Sequence, residues 1–120
     1  MPGDGPRAGR GSAPRLRRSR EIGRVLDAGT PLRSERVIVF LAPGPGPSRA
    51  GWIAGRRLGG AVVRNRARRL LRQAWWQLAP RLRNGHDVVL VARRPLVGVK
   101  APQLAREIEV LLEKAGVMRT

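Results

Sequence analysis

Residues 56–75 read Arg56-Arg57-Leu58-Gly59-Gly60-Ala61-Val62-Val63-Arg64-Asn65-Arg66-Ala67-Arg68-Arg69-Leu70-Leu71-Arg72-Gln73-Ala74-Trp75. On a helix, which turns about 100° per residue, Val63, Ala67, Leu70, Leu71, Ala74 and Leu78 fall on one side. Asn65, Arg68, Arg69, Arg72 and Trp76 fall on the other, with Arg66 flanking. The spacing predicts a helix from Ala61 to Ala79, broken before its start by Gly59-Gly60 and stopped by Pro80. One face is a core seam and the opposite face an arginine ridge. No acidic residue stands four places from any of these arginines, so they repel one another unless something anionic sits against them. Ordinary solvated faces mix both signs. A membrane-surface helix carries a wide aromatic insertion face. Phosphate fits the ridge better than either, because a guanidinium pairs with it through two parallel hydrogen bonds.

Outward from this helix, the chain alternates short elements. Ser19 can cap a helix with Glu21 in its first turn, an apolar stripe of Ile22, Val25 and Leu26, and a stop at Gly29. Thr30-Pro31 begins a turn or a short extended piece. Val37-Ile38-Val39-Phe40-Leu41 is β-branched and aromatic and reads as a strand. Alternation puts Arg36, Ile38 and Phe40 on one face and Val37, Val39 and Leu41 on the other. Pro43 to Pro47 is a loop, and Arg49–Gly55 is expected to return as an antiparallel partner. Beyond the helix, Asn84-Gly85 turns into a strand over Asp87–Ala92. Pro102 opens a last helix whose stripe is Leu104, Ile108, Leu111, Leu112 and Ala115, ending at Gly116. The pattern is α+β, a single domain over residues 15–118. Residues 1–14 are Gly, Pro and Arg with little to bury, and read as a disordered basic tail.

Composition narrows the partner. The 120 residues carry 25 Lys+Arg against 8 Asp+Glu, a net charge of +17. Between Arg36 and Arg83 there is no acidic residue. Such an imbalance repels itself on folding, and its usual counterpart is a polyanion, either nucleic acid or an anionic membrane. Without cysteine there are no disulfides and no thiol chemistry. His86 is the only histidine. No apolar run approaches the roughly 20 residues of a membrane span, and the basic N-terminus lacks the apolar core of a secretory signal. The expected location is the cytoplasm.

The run from Arg56 to Gln73, with its basic pair, glycine, Arg64-Asn65-Arg66 and spaced arginines, resembles the signature of the bacterial ribonuclease P protein family. The likeness extends over Arg15 to Gly116, including the helix ending at Gly29-Thr30, the strand to Phe40, Arg49-Ala50-Gly51 and the Asp87–Ala92 strand. The resemblance implies an α/β sandwich with a small mixed four-stranded sheet, in the order α-βββ-α-β-α, with a left-handed βαβ crossover. The fourth strand would be the piece near Thr30–Arg33. It implies a protein with no catalytic residue and no metal site of its own. The protein assists a catalytic RNA, one protein per RNA, which removes the 5′ leader of precursor tRNA with magnesium ions. Arg56, Arg57, Arg64, Asn65, Arg66, Arg68, Arg69 and Arg72 would bind the RNA subunit. A cleft lined by Ile22, Leu26, Arg36 and Phe40 would hold the leader of the precursor tRNA. Three departures stand out: the family often has aromatic rings where this chain has Ile22 and Leu26, an Asn where it has Gly60, and a Ser where it has Gly55.

Other residues carry weaker signals. Trp75 borders the apolar face and reads as core. Trp76 projects with Arg72 and Asn65, as a base-stacking ring or a partly exposed one. Trp52 is core or cleft. Asp87 with Glu35, or Glu107, Glu109 and Glu113, are the acidic groups from which a metal site would have to be built, but the glutamate spacing does not converge. No nucleophile–base pair is present. The competing readings are a ribosomal or other structured-RNA binder without a processing role, and a DNA-binding protein that uses the arginine helix in a major groove.

Overall fold

The two runs richest in branched apolar residues, Val37–Pro43 and His86–Ala92, become the centre of a four-stranded sheet. The computed structural model describes Arg15, Leu16 and residues 19–119; the expected tail, residues 1–14, lies outside the described residues. In chain order the elements are α1 (Ser19–Ala28), β1 (Thr30–Arg33), β2 (Val37–Pro43), β3 (Arg49–Ile53), α2 (Ala61–Leu78), β4 (His86–Ala92) and α3 (Ala101–Lys114). Single 3-10 turns at Arg56–Leu58 and Ala79–Arg81 flank α2.

The sheet order is β1-β2-β4-β3. β1 pairs antiparallel with β2, Pro31 against Phe40. β2 pairs antiparallel with β4, from Val37↔Ala92 to Pro43↔His86. β3 runs parallel to β4, from Arg49↔Asp87 to Ile53↔Val91. This corrects the expectation that β3 returns antiparallel on β2. β4 takes the place between them, the central position that suits a run whose Val88, Val89 and Leu90 are fully buried, with helices over both faces and its backbone paired on both edges. β3 is thereby an outer strand, joined to its parallel neighbour through α2, the long connection that parallel pairing requires. Outside β3, Arg15 makes a parallel bridge to Ala50, and the Leu16 N–H donates to the Ala50 carbonyl at 2.8 Å.

Helices cover both faces. α2 and α3 pack together on one side, where Val37, Val39, Val88 and Leu90 meet Ala67, Leu71, Trp75, Leu104, Ile108 and Leu112. The other face carries α1 and a smaller cluster of Leu16, Val25, Ala42 and Val89. Strand alternation thus divides β2, with Val37 and Val39 facing α2 and α3, and Phe40 and Ala42 facing α1. α1 stops at Gly29 because its backbone presses on β2: a Cβ there would overlap the Val25 carbonyl and crowd the backbone of Leu41. In α3 the expected stripe is buried at Leu104, Ile108, Leu111 and Leu112, but Ala115 is exposed, since the helix ends at Lys114.

Candidate nucleic-acid interface

α2 buries Ala67, Leu71, Ala74, Trp75 and Leu78. That seam fixes where its arginines point, in two rows. Asn65, Arg66 and Arg69 stand exposed on the outer face. Arg64, Arg68 and Arg72, four residues apart, run half-buried along one flank. The Nε–H groups of Arg64 and Arg72 are buried and find no acceptor. Arg68 donates through Nη2 to the Asn65 side-chain oxygen. The Arg72 guanidinium lies 5.1 Å from the centre of the Trp76 ring. Arg56 and Arg57, exposed on the 3-10 turn just before α2, extend the basic surface past the helix start.

Five of the described arginines make ion pairs. Arg15, Arg20, Arg33, Arg83, Arg93, Arg94 and Arg119, scattered over the chain, make none among the described residues, and neither do those clustered over residues 56–72. Among the described residues, every ion pair is made by an arginine outside the 56–72 stretch. Arg24 and Arg49 pair with Asp87, Arg49 also with Glu21, Arg36 with Glu107, and Arg81 and Arg106 with Glu109. Arg56, Arg57, Arg64, Arg66, Arg68, Arg69 and Arg72 have no carboxylate partner among the described residues. The fold uses its few acidic groups to hold elements together and leaves the α2 surface uncompensated. Seven unscreened cations so close together raise the local potential and attract a polyanion.

On the opposite face of the sheet, α1 leaves a strip only partly covered. Ile22 and Leu26 from α1, Phe40 from β2, Ile53 from β3 and Val91 from β4 are each half-buried there, around the buried Val25, Ala42 and Val89. Ile22, Leu26 and Phe40, the apolar residues expected in a cleft, are therefore brought together. Arg36 is not. It lies in the turn before β2, where the alternation of the strand no longer holds. Glu107 of α3 accepts from its backbone N–H at 2.9 Å and from its Nη1 at 2.8 Å, so its side chain is tied to α3. The assignment of Arg36 to the face of Phe40 is corrected accordingly.

One end of the α1 face is closed by charge. The Asp87 carboxylate is fully buried and bound by Arg49 through Nε at 3.1 Å and Nη2 at 2.9 Å, and by Arg24 Nη2. Arg49 Nη1 also reaches Glu21 at 3.1 Å. The hydrogen bond to Asp87, opposed by burial and supported by the charges of Asp87 and Glu21, holds Arg49 above its ordinary pKa. Gly44 passes over this group so closely that a Cβ would collide with the Asp87 carboxylate. At the other end of the sheet, burial pushes the Glu107 carboxyl up. Hydrogen bonds from the Ser34 hydroxyl and from the backbone and guanidinium of Arg36, with the charge of Arg36, outweigh it and leave Glu107 below its ordinary value. Asp87 and Glu107 are thus structural ion-pair partners, and Glu35 is exposed at the surface.

The chain that folds into a basic helix on one face of the sheet and a partly covered apolar strip on the other matches a family model. The model for ribonuclease P matches residues 12–116. The chain belongs to the ribonuclease P protein family. A ribonuclease P protein component from Roseiflexus castenholzii is 42% identical over 106 residues, covering 85% of this chain and 80% of that protein. One from Symbiobacterium thermophilum is 47% identical over 73 residues, covering 61% of this chain and 64% of that protein. The ribonuclease P protein of Thermotoga maritima superposes with a TM-score of 0.72 at 26% identity, covering 83% of this chain and 96% of that one. That of Staphylococcus aureus shares the fold, with a TM-score of 0.73 at 21% identity.

Membership in the ribonuclease P family gives the α2 ridge its context: the protein component of a ribonuclease that matures the 5′ end of tRNA. Sequence reasoning missed two features of this chain's structure. The first is the Asp87–Arg49–Arg24 cluster. Its signal was a single acid opening an otherwise apolar strand, which needs a cation once buried. The second is the stacking of Arg15 on Trp52, 4.7 Å from guanidinium carbon to ring centre, which closes the outer side of β3. No helix among the described residues is long and apolar enough to cross a membrane.

Proposed function

We propose that this chain binds the RNA subunit of ribonuclease P through Arg56, Arg57, Arg64, Asn65, Arg66, Arg68, Arg69 and Arg72. In this reading the cleft of Ile22, Leu26 and Phe40 receives the single-stranded 5′ leader of precursor tRNA, so that one protein positions substrate and RNA together in the cytoplasm. The observation that carries the reading is the clustering of seven arginines over residues 56–72, none with a carboxylate partner among the described residues, while the carboxylates that pair go to Arg24, Arg36, Arg49, Arg81 and Arg106.

Hydrolysis is assigned to the RNA with its magnesium ions. The described residues do not suit magnesium. No three acidic or histidine groups among them converge as a metal site. Asp87, Glu107 and Glu109 are committed to arginines. No step of the reaction is therefore given to a side chain of this protein. What the protein contributes is charge neutralisation, which lowers the repulsion between two RNA molecules and so the magnesium they need.

Reconstitution tests this. Purified protein added to ribonuclease P RNA at low magnesium should restore removal of the 5′ leader from precursor tRNA. Absence of stimulation, or cleavage by protein proven free of RNA, would contradict the proposal.

A further inference from the structure

Trp75 and Trp76 follow one another on α2, but only the first is needed by the core. Trp75 is fully buried in the seam. Trp76 points about 100° further round the helix, is half-buried, and packs one side against the edge of that core. A leucine would cover the same apolar edge without leaving an indole ring at the surface. Trp76 also lies one turn beyond Arg72, on the flank that carries Arg64, Arg68 and Arg72, and the Arg72 guanidinium sits over its ring at 5.1 Å. Arg72 makes no ion pair among the described residues, and its Nε–H is buried without an acceptor. A flat cation held against an indole, at the end of a row of unpaired arginines, is a layered π surface beside a phosphate-binding track.

We propose that Arg72 and Trp76 form a stacking site for one unpaired base of the RNA bound by the arginine ridge. This rests on the ridge being an RNA interface, and it names the feature of the RNA recognised at its C-terminal end. Bases inside an A-form helix are stacked on their neighbours and out of reach, so the site selects a bulged, looped or terminal nucleotide. The base lies against the Arg72–Trp76 pair, and its flanking phosphates lie along Arg68 and Arg64. Stacking needs a π-face and no particular base edge, so the site takes any base and prefers purines for their area.

The test uses the full chain and two RNA hairpins that differ by one bulged purine. The wild-type protein should bind the bulged hairpin about tenfold more tightly than the fully paired one, as expected for a single stacked base. Trp76→Leu should lose that preference and keep the salt dependence of binding, because every phosphate-binding arginine is still in place. Trp76→Phe should retain most of the preference. Equal affinity of the wild-type chain for both hairpins would overturn the proposal. So would a Trp76→Leu protein that is folded by its urea midpoint and still prefers the bulge. If Arg69→Ala is also without effect on either hairpin, the failure lies with the ridge as an RNA interface and not with the stacking site.

Discussion

Arg49 stands directly opposite Asp87 across the parallel β3–β4 pair and grips its buried carboxylate with two nitrogens, at 3.1 and 2.9 Å. Arg24 reaches the same carboxylate from α1. One acid therefore fastens a helix and two strands at a single point. Asp87→Ala removes the acid and leaves two arginines without their partner. Breaking a buried pair in this way should lower the unfolding free energy by about 3 kcal/mol, read by urea titration. A loss below about 1 kcal/mol, the range of a surface pair, would show that α1 is held by apolar contacts alone.

Glu107 predicts the acid side of the stability curve. Its carboxyl is below its ordinary value of 4.5 in the folded chain. The folded state therefore binds its proton less readily than the unfolded chain. The stabilisation is fully present above the unfolded value and is lost as pH falls through the folded one. Urea titrations from pH 6 down to about pH 3 should show this loss, and Glu107→Gln should flatten the curve in that window. An unchanged slope in the variant would mean that the contacts with Ser34 and Arg36 contribute no net stability.

Phe40 separates a binding face from a packing face. Its side chain is half-buried against the cluster that Ile22 and Leu26 also border, whereas Val39, its neighbour in sequence, is fully buried on the other side. In the holoenzyme, Phe40→Ala should weaken binding of precursor tRNA by roughly 1–3 kcal/mol, the value of one stacked base, and leave mature tRNA unaffected. Affinity for the RNA subunit should hold, because α2 lies across the sheet. Equal weakening of precursor and mature tRNA, or a folding loss of roughly 3–5 kcal/mol as for a full core ring, would place Phe40 in the core instead.

Much of this was legible in the sequence because local rules act on local patterns. The helical period of Val63 to Leu78 placed the centre of the α2 seam at Ala67, Leu71, Ala74 and Leu78. The single arginine ridge expected opposite it, however, divides into exposed Asn65, Arg66 and Arg69 and a half-buried flank of Arg64, Arg68 and Arg72. The alternation of Val37 to Leu41 assigned the two faces of β2. What was not legible was long-range. The antiparallel return expected of β3 was wrong because β4, arriving 33 residues after the end of β3 (His86 against Ile53), takes the place beside β2. Arg36 was misplaced because a flexible guanidinium follows its partner, and Glu107 lies 71 residues away. Charge pairs of this kind are set by the packed fold, so a single chain read in order cannot reveal them.

The central claim is that the uncompensated arginines of α2 touch phosphate. Arg66 and Arg69 test it most cleanly, since both are exposed and neither makes an ion pair or covers the core among the described residues. The measurement is the affinity of the protein for ribonuclease P RNA across a series of salt concentrations. For the Arg66→Ala, Arg69→Ala double variant, weaker binding is predicted, with an unchanged urea midpoint. The log–log salt slope should be smaller by roughly two, about one for each phosphate no longer neutralised. A folded double variant with wild-type affinity and wild-type slope would contradict the account.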